Sequence, residues 1–300
     1  MERIPKVDIH AHATAYPDLI PANRHSHGRF LSGDELIGMY DELCIERGVL
    51  LPIVDPVAQW VGMTSENCKV ISDAHPDRFS WFCGIDPRMG DHNADTDLGY
   101  LLNHYKALGA KGVGELTTQL YADDPMMDNL FSALEDCDMP VIIHIAPRPG
   151  DFYGIIDEVG LPRIGKMLRR HPRMKLIGHS QPFWAEISAD VTDENRGGYP
   201  AGRVRPGRLV DLMRDYGNLY CDLSAGSGMN AMTRDPEFAA RFLAEFPDRI
   251  FYGCDICASF NTHPYQFDKF LTQMRADGMI SEENYRKIVR ENALALLGLK

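Results

Sequence analysis

The stretch Val7-Asp8-Ile9-His10-Ala11-His12 constrains the chain more than any other, because a largely apolar run closes there on two histidines one residue apart. Successive side chains of a strand alternate faces, so His10 and His12 point the same way and can hold one ion between their imidazoles. A lone histidine at a strand end is more often a core or rim residue satisfied by a backbone carbonyl. Two on one face make a metal-site geometry.

Three later stretches repeat the arrangement: Val141-Ile142-Ile143-His144, Lys175-Leu176-Ile177-Gly178-His179 and Ile250-Phe251-Tyr252-Gly253-Cys254-Asp255. Each is a short run rich in β-formers, closed by a residue that can ligate a metal or move a proton. In a parallel sheet or barrel such strand ends converge on one face, where active sites are built.

Between these runs the chain alternates strand and helix patterns. Ser32-Gly33-Asp34-Glu35 is a capping box opening a helix with Leu36, Ile37, Met39, Tyr40 and Leu43 at helical spacing. Further strands are expected at 49–54, 79–85, 111–116 and 219–223. Further helices are expected near 65–74, 97–108, 126–137, 161–170, 207–216, 236–246, 264–276 and 281–297. His75-Pro76, His171-Pro172 and Phe246-Pro247 are matched helix-to-strand connectors, since proline cannot continue a helix; His75 and His171 are therefore read as structural. Eight units predict a single domain over residues 1–300, a parallel (β/α)8 TIM barrel with a metal site at the C-terminal ends of the strands. A doubly wound sheet would usually carry a glycine-rich phosphate loop after its first strand, where this chain has HxH.

Two segments exceed ordinary connections. The loop near 13–31 carries Arg24, His25, His27 and Arg29 and is expected to arch over the mouth, its arginines fixing an anionic substrate. The insertion near 181–208, with Trp184 and Glu186, is expected to wall or cover the pocket. Arg148, just past His144, is a further candidate anchor. Asp222 and Ser224 share a face at a strand end, to line the pocket or cap the strand, and Asp8 is expected to hydrogen-bond within the fold.

The formal charge of −12 argues against a nucleic-acid or anionic-membrane surface. No stretch approaches the roughly 18 apolar residues of a membrane span. The first strand starts within a few residues of Met1, leaving no room for an export signal, and the expectation is a cytoplasmic protein. Seven scattered cysteines read as reduced thiols, with Cys254-x-x-Cys257 as packing. The expected partner is a small-molecule substrate, and a homo-oligomer is compatible with the sequence.

His10, His12, His144, His179 and Asp255, in this order on eight βα units, resemble the amidohydrolase superfamily. The resemblance is to the amidohydrolase-related branch that includes aminocarboxymuconate semialdehyde decarboxylase, and Arg290-Glu291-Asn292-Ala293-Leu294-Ala295-Leu296-Leu297 is similar to that branch's terminal helix. The resemblance implies that His10, His12, His144 and Asp255 bind a divalent cation, Zn²⁺ first by donor type with Mn²⁺, Fe²⁺ or Ni²⁺ as alternatives. It implies catalytic roles for Asp255, taking a proton from water, and for His179, polarising a substrate carbonyl. Glu115 ends strand four, where some superfamily members bridge two metals with an acidic residue. One essential ion with Glu115 in or near the pocket is the expectation, and a second ion the alternative. The function expected is hydrolysis of a C–N or C–O bond through a metal-bound hydroxide. The alternative is non-oxidative decarboxylation of a small unsaturated or aromatic acid, with a non-catalytic metal-binding barrel third.

Overall fold

The computed structural model describes residues 2–22, 28–55, 57, 62–150 and 152–299. Nine strands follow one another as β1 (Lys6–Ala11), β2 (Ile45–Leu50), β3 (Phe79–Trp81), β4 (Val113–Leu116), β5 (Val141–Ala146), β6 (Ile155–Ile156), β7 (Leu176–His179), β8 (Leu219–Asp222) and β9 (Ile250–Phe251). All pairings between them are parallel, in the orders β1-β2-β3 and β4-β5-β7-β8-β9. Single bridges join the two sheets, Cys83 to Val113 on one side and Ala11 to Ile256 on the other. Eight strands thus close a barrel. The ninth, β6, is a two-residue return of the β5 loop onto β5 itself.

Helices lie between the strands, and their starts follow local chemistry. Ser32 accepts from the Glu35 amide while the Glu35 carboxylate accepts from the Ser32 amide, so the capping box forms. That helix ends at Cys44 in the left-handed region (φ 56°), and the chain enters β2 at Ile45. The strand therefore begins four residues before the expected Val49. Gly48 lies inside it because a Cβ there would stand 2.1 Å from the Tyr40 hydroxyl. Two helices that sequence periodicity did not reveal, Gln181–Ala185 and Ala225–Thr233, follow β7 and β8 directly. The last helical run, Glu282–Leu297, contains a π turn at Lys287–Glu291.

Val7, Ile9, Val49, Leu51, Phe82, Ile142, Ile177 and Phe251 pack together from six strands or their ends, joined by Ala293, Leu294 and Leu297 of the terminal helix. A larger apolar layer packs helices onto the outside of the strands. Among the described residues no helix is long and apolar enough to cross a membrane. All seven cysteines are free.

Candidate metal centre

The ends of β1, β4, β5, β7, β8 and β9 supply the site, and two of these strands depart from regular pairing where they do so. Along β1, Asp8 pairs with Gly48 and Ala11 with Leu50, so three steps on β1 match two on β2. Such a bulge re-aims side chains. Asp8 reaches out to the Tyr40 hydroxyl at 2.7 Å, while His10, two residues on, reaches Asp222 across the mouth at 2.7 Å. Along β4, Val113 pairs with Val141 and Leu116 with Ile143, the same three-for-two step. Gly114 sits within it at φ +137°, and a Cβ there would lie 2.7 Å from the Ile142 carbonyl oxygen, so glycine is required to turn Glu115 inward. His144 and His179 are register partners on β5 and β7. Asp255 lies just past β9 at φ +53°, its amide donating to the His10 carbonyl at 2.7 Å.

Hydrogen-bond partners fix the imidazole tautomers. His12 Nδ1 lies 2.9 Å from the Leu51 carbonyl, which only accepts, so the proton is on Nδ1 and Nε2 keeps its lone pair. His10 Nδ1 donates to Asp222 Oδ2, and His144 Nδ1 donates to Glu115 Oε1 at 2.5 Å. Ser224 Oγ donates its proton to Asp222 Oδ2 at 2.7 Å and accepts from His179 Nδ1 at 2.9 Å. When neutral, all four rings therefore offer an unprotonated Nε2. His10 Nε2 and His12 Nε2 stand 3.1 Å apart, and Asp255 Oδ1 lies 3.6 and 3.5 Å from them. Glu115 Oε2 lies 3.8 and 3.7 Å from the same two nitrogens, and its Oε1 lies 3.7 Å from His179 Nε2. Ligand atoms about 2.1 Å from a tetrahedral ion sit about 3.4 Å from one another, which matches this set. Among the described residues, His10–His12–Glu115, His10–His179–Asp255 and Glu115–His144–His179 are the groups compact enough to hold an ion.

The electrostatics agree with a cation site. Burial alone would push His10 down, but Asp255, Asp222 and Glu115 outweigh it and raise it to about 10. Burial and then the His10 charge push His12 down, and burial lowers His144. Burial would raise Glu115 and Asp222, but the histidines around them hold both well below the carboxylate range. Two ionised, buried carboxylates thus face a histidine pair of which one strongly attracts a proton, the charge environment a divalent ion satisfies.

The expected residues part ways here. His10, His12, His144, His179, Asp255 and Glu115 converge; Asp255 is the most open, with 28% of its side chain exposed. His179 turns its Nδ1 to Ser224 Oγ at 2.9 Å, which leaves Nε2 as the atom facing the cluster. Arg24, with His25 and His27, lies outside the described residues. Arg29 is not free to anchor a substrate, because both its terminal nitrogens pair with the capping-box Glu35 at 3.1 and 2.5 Å. Trp184 cannot line a pocket either: it is 2% exposed, packs against Phe183 and Phe242, and donates Nε1–H to the Asp222 carbonyl at 2.9 Å. Arg148 is exposed, its guanidinium 4.9 Å above the Phe152 ring at a surface cleft of about 430 Å³ shared with Asp193 and Tyr199. The insertion is buried at 182–188 and at Arg196, which donates to the Asp157 carbonyl at 2.9 Å, and is mostly exposed between 189 and 203. His171 is structural as expected, buried between Asp128 and Glu135. His263, half-buried, bonds the Cys254 carbonyl at 2.6 Å.

One mouth residue carried no sequence signal. Tyr153 packs against His144 with ring centroids 4.5 Å apart and the planes tilted by 49°. It is placed there by Gly154 at φ +125°, where a Cβ would meet the Ala146 amide at 2.6 Å, so that the loop can fold onto the end of β5.

Comparison with known proteins accords with this architecture. The chain is similar in fold to an uncharacterised TIM-barrel protein from Bordetella bronchiseptica (16% identity, 98% of this chain and 100% of that one, TM-score 0.67). It is also similar to 5-carboxyvanillate decarboxylase from Sphingomonas paucimobilis (16% identity, 99% and 100% covered, TM-score 0.62). A third similar structure is a probable 2-pyrone-4,6-dicarboxylic acid hydrolase from Acinetobacter baumannii (13% identity, 99% and 100% covered, TM-score 0.59). No curated protein matches the chain in sequence. The family model described as amidohydrolase matches residues 57–299, which takes in Glu115, His144, His179, Asp222 and Asp255 and leaves the HxH pair to be read from the structure. The chain is an enzyme that belongs to the amidohydrolase family.

Proposed function

We propose that this enzyme is a metal-dependent hydrolase cleaving a C–N or C–O bond of a small molecule. The observation that carries this is the place of Glu115, which belongs to two groups of candidate ligands, His10–His12–Glu115 and Glu115–His144–His179, with Oε2 nearer the first pair of histidines and Oε1 nearer the second. A carboxylate so shared can hold two ions. When bound, divalent metal, Zn²⁺ first by the N/O donor set and Mn²⁺, Fe²⁺ or Ni²⁺ next, supplies Lewis acidity and brings the pKa of water to about 7. Asp255, the open carboxylate of the set, takes the proton from the attacking water and returns it to the leaving nitrogen or oxygen. His179, its Nδ1–H held by Ser224, acts through its Nε2 lone pair as a ligand.

Decarboxylation stands second. Its support was the resemblance to a decarboxylase-containing branch together with a set of arginines for a carboxylate, and of the described pair Arg29 is taken by Glu35 while Arg148 alone keeps an exposed guanidinium. The experiment is metal stoichiometry on freshly purified protein by plasma mass spectrometry, followed by turnover of amides, esters and lactones against carboxylic acids with released CO₂ trapped. We expect about two ions per chain in the wild type and about one in Glu115→Gln, with hydrolysis and no CO₂. A single ion with CO₂ released from an acid would overturn the hydrolase reading.

A further inference from the structure

Hydrolysis of a carbonyl compound builds negative charge on the carbonyl oxygen, and a donor must meet it. The described groups around the histidine cluster are short of donors. The Nδ1 protons of His10, His12, His144 and His179 are given to Asp222, the Leu51 carbonyl, Glu115 and Ser224. Glu115 and Asp255 only accept. Arg29 is held by Glu35. The Cys257 thiol, a weak donor, faces Asn261 Oδ1 at 3.4 Å. Thr117 and Thr118 have unpartnered hydroxyls, but both residues are buried, facing a small cavity that they share with Asp55 and Glu115.

Tyr153 differs from all of these. Its ring packs against His144, the residue is 41% exposed, and its hydroxyl has no hydrogen-bond partner among the described residues. That contact with His144, whose Nδ1 is bonded to Glu115, sets the phenol at the mouth of the site. The described residues on either side of Tyr153 are tied down. Gln119 accepts from the Gly150 amide at 2.8 Å and donates to the Phe152 carbonyl, the Gly154 amide donates to the Thr117 carbonyl at 2.5 Å, and Ile155 and Ile156 pair with Ile145 and Ala146. A donor fixed before the reaction costs no reorganisation during it.

We propose that the phenol of Tyr153 donates the hydrogen bond that stabilises the oxyanion formed on the substrate carbonyl, making it a catalytic residue of the hydrolysis put forward above, on which this inference rests. The oxygen of water forms a bond to the carbonyl carbon, its proton goes to Asp255, and the π pair moves onto the carbonyl oxygen, which accepts from the Tyr153 O–H. On collapse the carbonyl re-forms, the bond to the leaving nitrogen or oxygen breaks, and that atom takes the proton from Asp255. Tyr153 keeps its own proton throughout.

The test compares zinc-loaded wild type with Tyr153→Phe, which keeps the ring on His144 and loses only the hydroxyl. The probes are 4-nitrophenyl acetate for turnover and methylphosphonate, a tetrahedral anion, for binding by calorimetry. Loss of one oxyanion donor predicts a fall in kcat of about 10²-fold at unchanged KM. Methylphosphonate binding should weaken in parallel, with zinc per chain unchanged. A phenylalanine variant that matches wild type within about twofold in kcat and phosphonate affinity, a size well short of one lost donor, overturns the inference. So does a zinc-loaded wild type that neither turns over the ester nor binds the phosphonate. A wild type that holds no metal, or whose turnover is indifferent to its removal, instead defeats the hydrolase reading itself and takes this inference with it.

Discussion

Asp222→Asn is the perturbation that most directly tests how the site is held. Asp222 is fully buried at the end of β8; its Oδ2 meets His10 Nδ1 at 2.7 Å, Ser224 Oγ at 2.7 Å and His179 Nδ1 at 3.2 Å, and its Oδ1 accepts the Ser224 amide at 2.8 Å. Asparagine has one acceptor oxygen. With that oxygen toward His10, its NH₂ faces the Ser224 N–H; turned round, its NH₂ faces the His10 and Ser224 donors and drives the His10 proton to Nε2, the atom that faces His12. A partner that orients a ligating histidine is worth about 10- to 100-fold in metal affinity, or about 1.4 to 2.7 kcal/mol. A buried donor left unpaired costs about 1–3 kcal/mol of stability. Competition with a chromophoric chelator at neutral pH reads the first loss, and denaturant unfolding of metal-free protein reads the second. The pH dependence has a definite sign. The histidines hold the Asp222 carboxyl well below its ordinary value, so its contribution is complete above the unfolded pKa of about 3.9 and is lost as pH falls below it. The stability gap between wild type and variant therefore narrows in acid. An asparagine variant that binds metal within about twofold of wild type, against the 10-fold minimum expected, and unfolds with it would refute the assignment of Asp222 as the group that sets the His10 tautomer.

Two further substitutions probe the same framework. Gly253→Ala places a Cβ 2.4 Å from Asp222 Oδ1 and 2.7 Å from Ser224 Cβ, both buried and fixed, so it should cost about 1–3 kcal/mol and weaken metal binding; wild-type Tm and metal content would contradict this. Asp8→Asn should behave oppositely to Asp222→Asn, because its Oδ1 accepts both backbone amides and the Tyr40 hydroxyl on the other oxygen can turn to accept from an NH₂. Burial raises the Asp8 carboxyl to about 7, so the folded state binds its proton more tightly than the unfolded chain and wild-type stability declines from about pH 4 to 7 through this group. Urea unfolding of the two proteins at pH 5.5 and 7.5 checks it: the asparagine variant should lose less stability between the two, and an equal or larger loss rejects the reading.

Much of this was written locally in the chain. Period-two alternation places His10 and His12 together, strand-end runs mark His144, His179 and Asp255, and the capping box and helix-to-strand prolines bound the helices to within a residue or two. What escaped depends on contacts between distant segments. Arg29 looks available until Glu35 is seen to use one carboxylate for both the helix cap and the guanidinium. Trp184 looks like a pocket aromatic in a long insertion, yet its indole lies in the core and bonds β8. Asp222 and Ser224 were recognisable as a pair on one face, but their job depends on His10, 212 residues away in sequence. Tyr153 follows from the backward fold of a loop that only Gly154 permits.

The two bulges explain why alternation succeeds for one ligand pair and misleads next to it. Strict alternation would send Asp8 the same way as His10, whereas the extra residue in β1 frees Asp8 to turn toward Tyr40. A bulge also interrupts the backbone ladder, and buried amides must find other acceptors. On the seam that closes the barrel, Ile9 donates to the Tyr252 carbonyl and Asp255 donates to the His10 carbonyl. Between those two bonds the His10 and Cys254 amides both turn to Asp8 Oδ1, at 3.0 and 2.8 Å. Asp8 thus replaces the missing rungs at the point where β1 must carry His10 and the chain after β9 must carry Asp255, and it sets the separation of those two ligands from behind. The same logic applies at β4, where Gly114 absorbs the extra residue and Glu115 emerges among the histidines of three other strands. A regular barrel built from these strands would keep its HxH pair and lose the carboxylate that joins it to His144 and His179.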